Sequence, residues 1–356
     1  GQELVAHCAA ARPLPEGGGL LLLFGGARQT FVFEGVDAPP VPSLLRDFSA
    51  PVILDYPYSD ADLALLLAHD RDPFNRWEAG QRLFTRLIGA AVEQLAGGAT
   101  PHWPAQVVDA VARVLADTGN PAFVAEALTL PGETTLAEHM AVVDPELLHH
   151  ARRALAQHLA VRLQATFAAR YVELAPRGAY APTQDEVARR RLRNLCLGYL
   201  AELEGLSGGE EALAQARRQF ALADNMTDQF AALSVLANAD DASGEAALAE
   251  FYARWQGEAL VVDKWLAVQA ASRRSDTSAR VAGLTRHAAF DLRNPNKVYA
   301  LLRTFAANHR HFHAADGAGY RFIAEQVAQL DPLNPQVAAR LVRSFDRWRR
   351  FDAGRQ

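Results

Sequence analysis

Leucines recur on one helical face at Leu63, Leu66 and Leu67, directly after the run Ser59-Asp60-Ala61-Asp62. An apolar spacing of i, i+3, i+4 predicts an amphipathic helix. Ser59 supplies the N-cap, with Asp62 at the capping-box position. The same grammar repeats along the chain. Asp72-Pro73 opens a helix carrying Trp77, Leu83, Phe84, Leu87 and Ile88, which ends before Gly97-Gly98. Asn120-Pro121 opens a short one, and further helices are predicted over 104–116, 144–171, 183–203, 209–222, 225–238, 243–256, 258–271, 277–286, 294–307, 319–330 and 334–350. Many begin with Asp, Asn, Ser or Thr followed by proline, which satisfies the free N–H groups of a first turn without losing a bond. Short connections between helices of similar length predict antiparallel neighbours. The expected architecture is mostly α: an irregular armadillo/HEAT-like superhelix of antiparallel helix pairs over 55–356.

The first 54 residues follow a different pattern. Leu20 to Phe24, Thr30-Phe31-Val32-Phe33 and Val52-Ile53-Leu54 are short apolar or β-branched runs. Gly17-Gly18-Gly19, Gly25-Gly26 and Asp37-Ala38-Pro39-Pro40 separate them, which predicts strands joined by turns. So few strands make a poor free-standing unit. Residues 1–54 are therefore expected to be the C-terminal strands of a small, partial β-sandwich.

Composition narrows the function classes. Half of the 356 residues are hydrophobic, enough for a sizeable core, and no apolar run approaches a membrane span. A net charge of −5 argues against a nucleic-acid surface. Cys8 and Cys196 are far apart and form no Cys-x-x-Cys, so neither a disulfide framework nor a thiolate metal site is expected, and Cys196 reads as a buried core thiol. Gly1-Gln2-Glu3-Leu4 does not begin a secretory leader, and a cytoplasmic location is expected. The chain contains no His-Glu-x-x-His, no Gly-x-Ser-x-Gly, no Walker loop and no Gly-x-Gly-x-x-Gly after a strand. His309, His311 and His313 could chelate on an extended segment, but Arg310 adds repulsion, and no metal is expected there. His149-His150 reads as a solvated helix face.

Several segments resemble the C-terminal region of the bacterial aminopeptidase N family. They are Gln29-Thr30-Phe31-Val32-Phe33, Phe48-Ser49-Ala50-Pro51-Val52, Asn225-Met226-Thr227-Asp228, Asp263-Lys264-Trp265, Asn294-Pro295-Asn296-Lys297, His313 through Tyr320, and Asn334-Pro335-Gln336-Val337-Ala338. The resemblance implies a zinc exopeptidase that removes N-terminal residues from peptides. Its zinc and catalytic residues would lie in a domain outside this chain, leaving no cofactor and no catalytic residue here. It also implies that the chain's partners are the catalytic and sandwich domains of the same polypeptide, with peptide as substrate and neither nucleic acid nor membrane involved, and that another helix or two would follow Phe351-Asp352.

In such a family the helical domain covers the active-site chamber. The resemblance puts Asn334, Gln336, Arg340, Asn294, Asn296 and Lys297 on the chamber wall, with Lys297 pointing outward. Where some members carry a second basic residue, two positions after Lys297, this chain has Tyr299. Asn225 and Asp228 are expected to cap each other, and Asp263 and Lys264 to pair within their helix. The rival reading is a stand-alone helical-repeat interaction scaffold. A third, an independent enzyme using the His309 cluster, predicts bound metal.

Overall fold

The computed structural model describes residues 7–14, 19–239 and 241–356. Two very short strands, β1 (Arg12–Pro13) and β2 (Leu20–Leu21), pair antiparallel with Arg12 opposite Leu21. Eighteen α-helical segments follow among the described residues. They are α1 (Asp60–His69), α2 (Pro73–Ala96), α3 (Ala105–Leu115), α4 (Pro121–Ala127), α5 (Glu133–Glu138), α6 (Pro145–Arg162), α7 (Gln164–Glu173), α8 (Gln184–Ala201), α9 (Gly209–Leu222), α10 (Met226–Leu236), α11 (Ala242–Trp255), α12 (Ala259–Ala270), α13 (Thr277–Leu284), α14 (Pro295–Val298), α15 (Thr304–Ala307), α16 (His309–Phe312), α17 (Ala318–Leu330) and α18 (Pro335–Val342). A π-helical turn, Tyr299–Arg303, joins α14 to α15 without a break.

Local chemistry explains where these helices start. Nine of them open on a side chain that accepts a backbone N–H from the first turn: Ser59, Asp72, Asn120, Asp144, Thr183, Asn225, Asp241, Asn294 and Asn334. Each such cap contributes about 1 kcal/mol. At Ser59 both halves of the capping box form, with bonds of 3.1 and 2.9 Å to and from Asp62. Asp228 does more than cap: it is 1% exposed and its carboxylate takes hydrogen bonds from the side-chain amides of Asn194 and Asn225.

Sequential helices pack as neighbours, α1 on α2, α7 on α8, α9 on α10, and cross-contacts such as α2 with α6 and α4 with α8 stack one pair on the next. Their inner faces merge into one apolar cluster running from Tyr58 to Phe351. Phe84, Phe167, Phe251, Phe305 and Phe312 are fully buried in it. Phe167 stacks on Tyr199 at 4.6 Å, and the buried Tyr199 hydroxyl donates to the Leu128 carbonyl at 2.7 Å. Glycine permits the tightest approaches. A Cβ at Gly319 would sit 2.4 Å from the Phe312 carbonyl oxygen, and one at Gly244 2.4 Å from that of Leu236.

The structure departs from three of the helix and strand expectations. The segment 144–171 is not one helix: it turns at Leu163 (φ −119°, ψ 20°), which separates α6 from α7. The region 334–350 is helical only to Val342 and continues as 3-10 turns at Arg343–Phe345 and Trp348–Arg350. Neither Thr30–Phe33 nor Val52–Leu54 forms a strand; among the described residues there, one further bridge joins His7 to Glu34. Strands need partners on both the hydrogen-bonding and the packing side, and Phe24, Val32 and Ile53 here are 72%, 65% and 100% exposed. What fastens this segment to the helices is partly apolar, with Val41 and Leu54 against the core and the Phe48 and Phe74 rings 4.0 Å apart, and partly polar. Asn75 donates to Ser43 Oγ and the Leu44 carbonyl, both at 2.9 Å, and Tyr58 Oη donates to the Pro42 carbonyl at 2.6 Å.

Gly319→Ala should lower stability by roughly 1–3 kcal/mol in urea unfolding, because backbone rather than a movable side chain blocks the added methyl. Gly257→Ala, where nothing lies within 4 Å, should stay within about 0.5 kcal/mol of the parent.

Candidate functional site

The two Asn-Pro helix starts expected to face a chamber behave differently. Asn334 Oδ1 accepts the Val337 N–H at 3.2 Å, and Val337, Ala338 and Leu341 turn into the core. That leaves Gln336 and Arg340, one turn apart, exposed on the opposite face. Asn294 likewise caps its helix, accepting the Asn296 N–H at 3.0 Å, and both asparagines are exposed.

Lys297 does not point outward. Its side chain is buried, with Nζ 2.8 Å from the Asp263 carboxylate and donating to the Ala259 carbonyl at 2.9 Å. A desolvated ammonium needs a counter-charge and acceptors, and α12 supplies both. Asp263 is therefore not paired within its own helix; Lys264 instead lies over the Phe230 ring, 5.4 Å from its centroid.

Beyond Lys297 the helix passes into the π-turn. Leu301, Leu302 and Phe305 are fully buried, whereas Arg303 is exposed. Arg340 Nη1 donates to Tyr299 Oη at 3.2 Å, tying α18 to the π-turn. The Arg303 guanidinium lies over the same ring, 5.8 Å from its centroid. Single π-turns inserted in α-helices are frequent at functional sites.

Arg303 and Arg340 border a cavity of about 610 Å³ whose walls also carry Arg343, Asp346, Arg347, Arg350 and His309. Of the six residues expected from the sequence, Arg340 alone is on its wall. The nearby negative charges are already engaged. Arg343 pairs with Asp346 at 3.2 Å and Arg347 with Glu138 at 2.8 Å, while Arg350 donates to the Met140 and Glu138 carbonyls. Among the described residues Arg303 and Arg340 have no carboxylate partner. Arg303 was legible only as one more arginine: the spacing of Val298, Leu301, Leu302 and Phe305 puts it on an outer helix face, but nothing local says that a tyrosine ring and a second guanidinium meet it there.

The three clustered histidines occupy α16, a single helical turn rather than an extended segment. His309 Nε2 lies 3.2 Å from Thr134 Oγ1, and His313 Nδ1 lies 2.8 Å from Tyr320 Oη with its ring 3.8 Å from that of Phe351. Burial pushes all three imidazoles down, His313 to about 3 with help from the positive neighbours His309 and Arg355. They are packing groups. Among the described residues no set of three or more His, Cys, Asp or Glu side chains is placed to hold a metal. His149 is not solvated either: its Nδ1 sits 2.8 Å from Glu133 and its side chain is 14% exposed.

The pattern of the family described as a domain of unknown function (DUF3458_C) with ARM repeats matches residues 60–356, and that of an Ig-like DUF3458 domain matches 5–57. The chain belongs to the DUF3458_C family. It is homologous to bacterial aminopeptidase N: 39% identical to the protein of that name from Escherichia coli over 365 residues, 38% to that from Caulobacter vibrioides over 333 and 37% to that from Haemophilus influenzae over 331. These alignments take in 99%, 93% and 92% of this chain but only 41%, 38% and 37% of the relatives. A solved structure of Legionella pneumophila aminopeptidase A in complex with aspartic acid superposes with a TM-score of 0.80 at 30% identity, covering 99% of this chain and 42% of that one. The armadillo-like reading of the helical region agrees with the ARM-repeat family, and the sequence resemblance to aminopeptidase N is sustained over nearly the whole chain.

Two outcomes test this account of the buried charges. Lys297→Met should cost about 3 kcal/mol, because it strands a desolvated Asp263, and a Lys297→Met/Asp263→Leu double variant should recover most of the loss in urea unfolding. His313 protonates near 6.5 when unfolded but only near 3 when folded, so the unfolded chain binds the extra proton and stability falls as pH drops from about 6.5 toward 3. His313→Gln should remove about one proton's worth of that slope, about 1.4 kcal/mol per pH unit, when stability is measured between pH 6 and 4.

Proposed function

We propose that this chain is the non-catalytic lid and scaffold region of a zinc-dependent aminopeptidase N, the part that encloses the chamber in which N-terminal residues are removed from peptides. The observation that carries this reading is coverage: homology to bacterial aminopeptidase N extends over 99% of the chain and 41% of the longer E. coli protein. On this reading the zinc and the hydrolytic residues belong to the remaining part of the polypeptide, whose domains are this chain's partners. The exposed apolar side chains of the N-terminal segment, Phe24, Val32 and Ile53, suit a surface that packs against that remainder. Two free, buried thiols, Cys8 and Cys196, the latter pushed up to about 12 by burial, suit a cytoplasmic enzyme.

Within the chamber, Arg340 holds the far end of the peptide. A peptide cleaved at its N-terminus carries a carboxylate at the other end, and an exposed guanidinium with no carboxylate partner is a ready bidentate donor to it. Gln336, Asn334, Asn294 and Asn296 provide uncharged hydrogen-bonding groups at the neighbouring helix starts. Lys297 is excluded from this role by its engagement with Asp263 and supports α14 on α12 instead.

In the full-length protein, Arg340→Ala should raise KM for short peptides with a free C-terminal carboxylate by about fivefold to tenfold, the effect of one charge-assisted hydrogen bond. Hydrolysis of uncharged amino-acid amides, which do not reach that far, should change by less than about twofold. Equal losses on both substrate types would remove Arg340 from peptide binding. No peptidase activity in the full-length protein would remove the reading itself.

A further inference from the structure

We propose that Arg303 and Arg340, with Tyr299 between them, form a two-guanidinium site for a peptide end that bears two carboxylates, that is, a peptide whose last residue is aspartate or glutamate. This rests on the chamber reading above and names the substrate class it favours.

The site is assembled from two elements that converge on one aromatic ring. Arg340 comes from α18 and reaches Tyr299 Oη at 3.2 Å; Arg303 comes from the end of the π-turn and stands over the ring at 5.8 Å from its centroid. A guanidinium over a ring face keeps its N–H edges free, and Arg340 spends a single N–H on the hydroxyl, so the tyrosine positions both cations and leaves them most of their donors. The charge balance distinguishes these two from the rest of the wall. Arg343 and Arg347 have Asp346 and Glu138, and Arg350 is spent on backbone carbonyls. The lysine that the sequence offers at this corner is buried against Asp263. Two cations without carboxylate partners, one over the Tyr299 ring and one at its hydroxyl, repel each other, and a single carboxylate relieves only part of that repulsion. A second carboxylate, on the side chain of the terminal residue, gives each guanidinium its own planar acceptor. The cavity, about 610 Å³, is in the size range of sites that take small organic ligands and has room for the last residues of a peptide.

The full-length aminopeptidase carrying this chain tests the assignment. Three peptides with a common N-terminal sequence are compared: one ending in glutamate, one ending in glutamine with a free carboxylate, and that glutamine peptide as its C-terminal amide. Arg303→Gln should lower kcat/KM for the glutamate-ended peptide about tenfold, change the amide by less than about twofold, and so collapse the preference for glutamate over glutamine. Arg303→Lys should restore part of the preference. Arg303 is exposed, so an unchanged melting temperature is expected of both variants. An unaltered glutamate-to-glutamine ratio in Arg303→Gln, with Arg340→Ala still erasing the advantage of free carboxylate over amide, overturns the two-cation site and leaves the chamber reading standing. If neither substitution moves any ratio, the two-cation site and the peptide-binding role of Arg340 fall together.

Discussion

Each helix of this array has an apolar stripe that it cannot bury alone, and the molecule depends on that constraint. Only stacking removes the stripes from water, at roughly 25 cal/mol per Å², and the result is a single seam from Tyr58 to Phe351. Because neighbours share the seam, the spacing between successive pairs is strict. Gly244 and Gly319 mark points where one helix start comes so close to the end of the preceding helix that no side chain fits between them. The late elements inherit their positions from the same seam. Phe351 is buried in it and bridges to Val143, so the C-terminal turns lie against the loop between α5 and α6 and form one wall of the cationic cavity.

That cavity shows how packing sorts chemically similar residues. Lys297 and Arg340 both follow an Asn-Pro helix start, yet one lies beneath α12 and the other stands free beside Tyr299. The difference lies in what faces each helix. α14 lies against α12, where Asp263 and the Ala259 carbonyl can neutralise an ammonium on a flexible stem. α18 buries Val337, Ala338 and Leu341 and turns its polar face away from the seam. The π-turn between them buries Leu301 and Leu302 and leaves Arg303 bordering the open space. The histidines of α16 follow the same logic. Grouped in sequence like ligands, they are buried as neutral rings with Thr134, Tyr320 and Phe351 as neighbours.

Caps and prolines act within four residues and require nothing distant, so Ser59, Asp72, Asn120, Asp144, Asn225 and Asn334 open helices where the sequence says they should. Strand prediction fails for the complementary reason. The alternation at Thr30–Phe33 is a statement about partners, and no described strand lies beside it. Arg340 was named through the family resemblance at Asn334-Pro335-Gln336, since an arginine one turn after a cap does not by itself mark a site. Arg303 was not named, because the guanidinium that shares its tyrosine comes from α18, distant in the chain.

The sequence by itself determined that the chain is an array of capped helices with a shared apolar face, and which polar residues stand at their starts, because these follow from contacts between near neighbours. Only the tertiary structure decided which charged groups are spent and which are free. Whether a lysine meets an aspartate from a helix 34 positions earlier, as Lys297 meets Asp263, or an arginine meets a tyrosine ring, depends on how helices distant in the chain are laid against one another. The free energy of a charge is set by those neighbours and by the water that remains, not by its place in the chain.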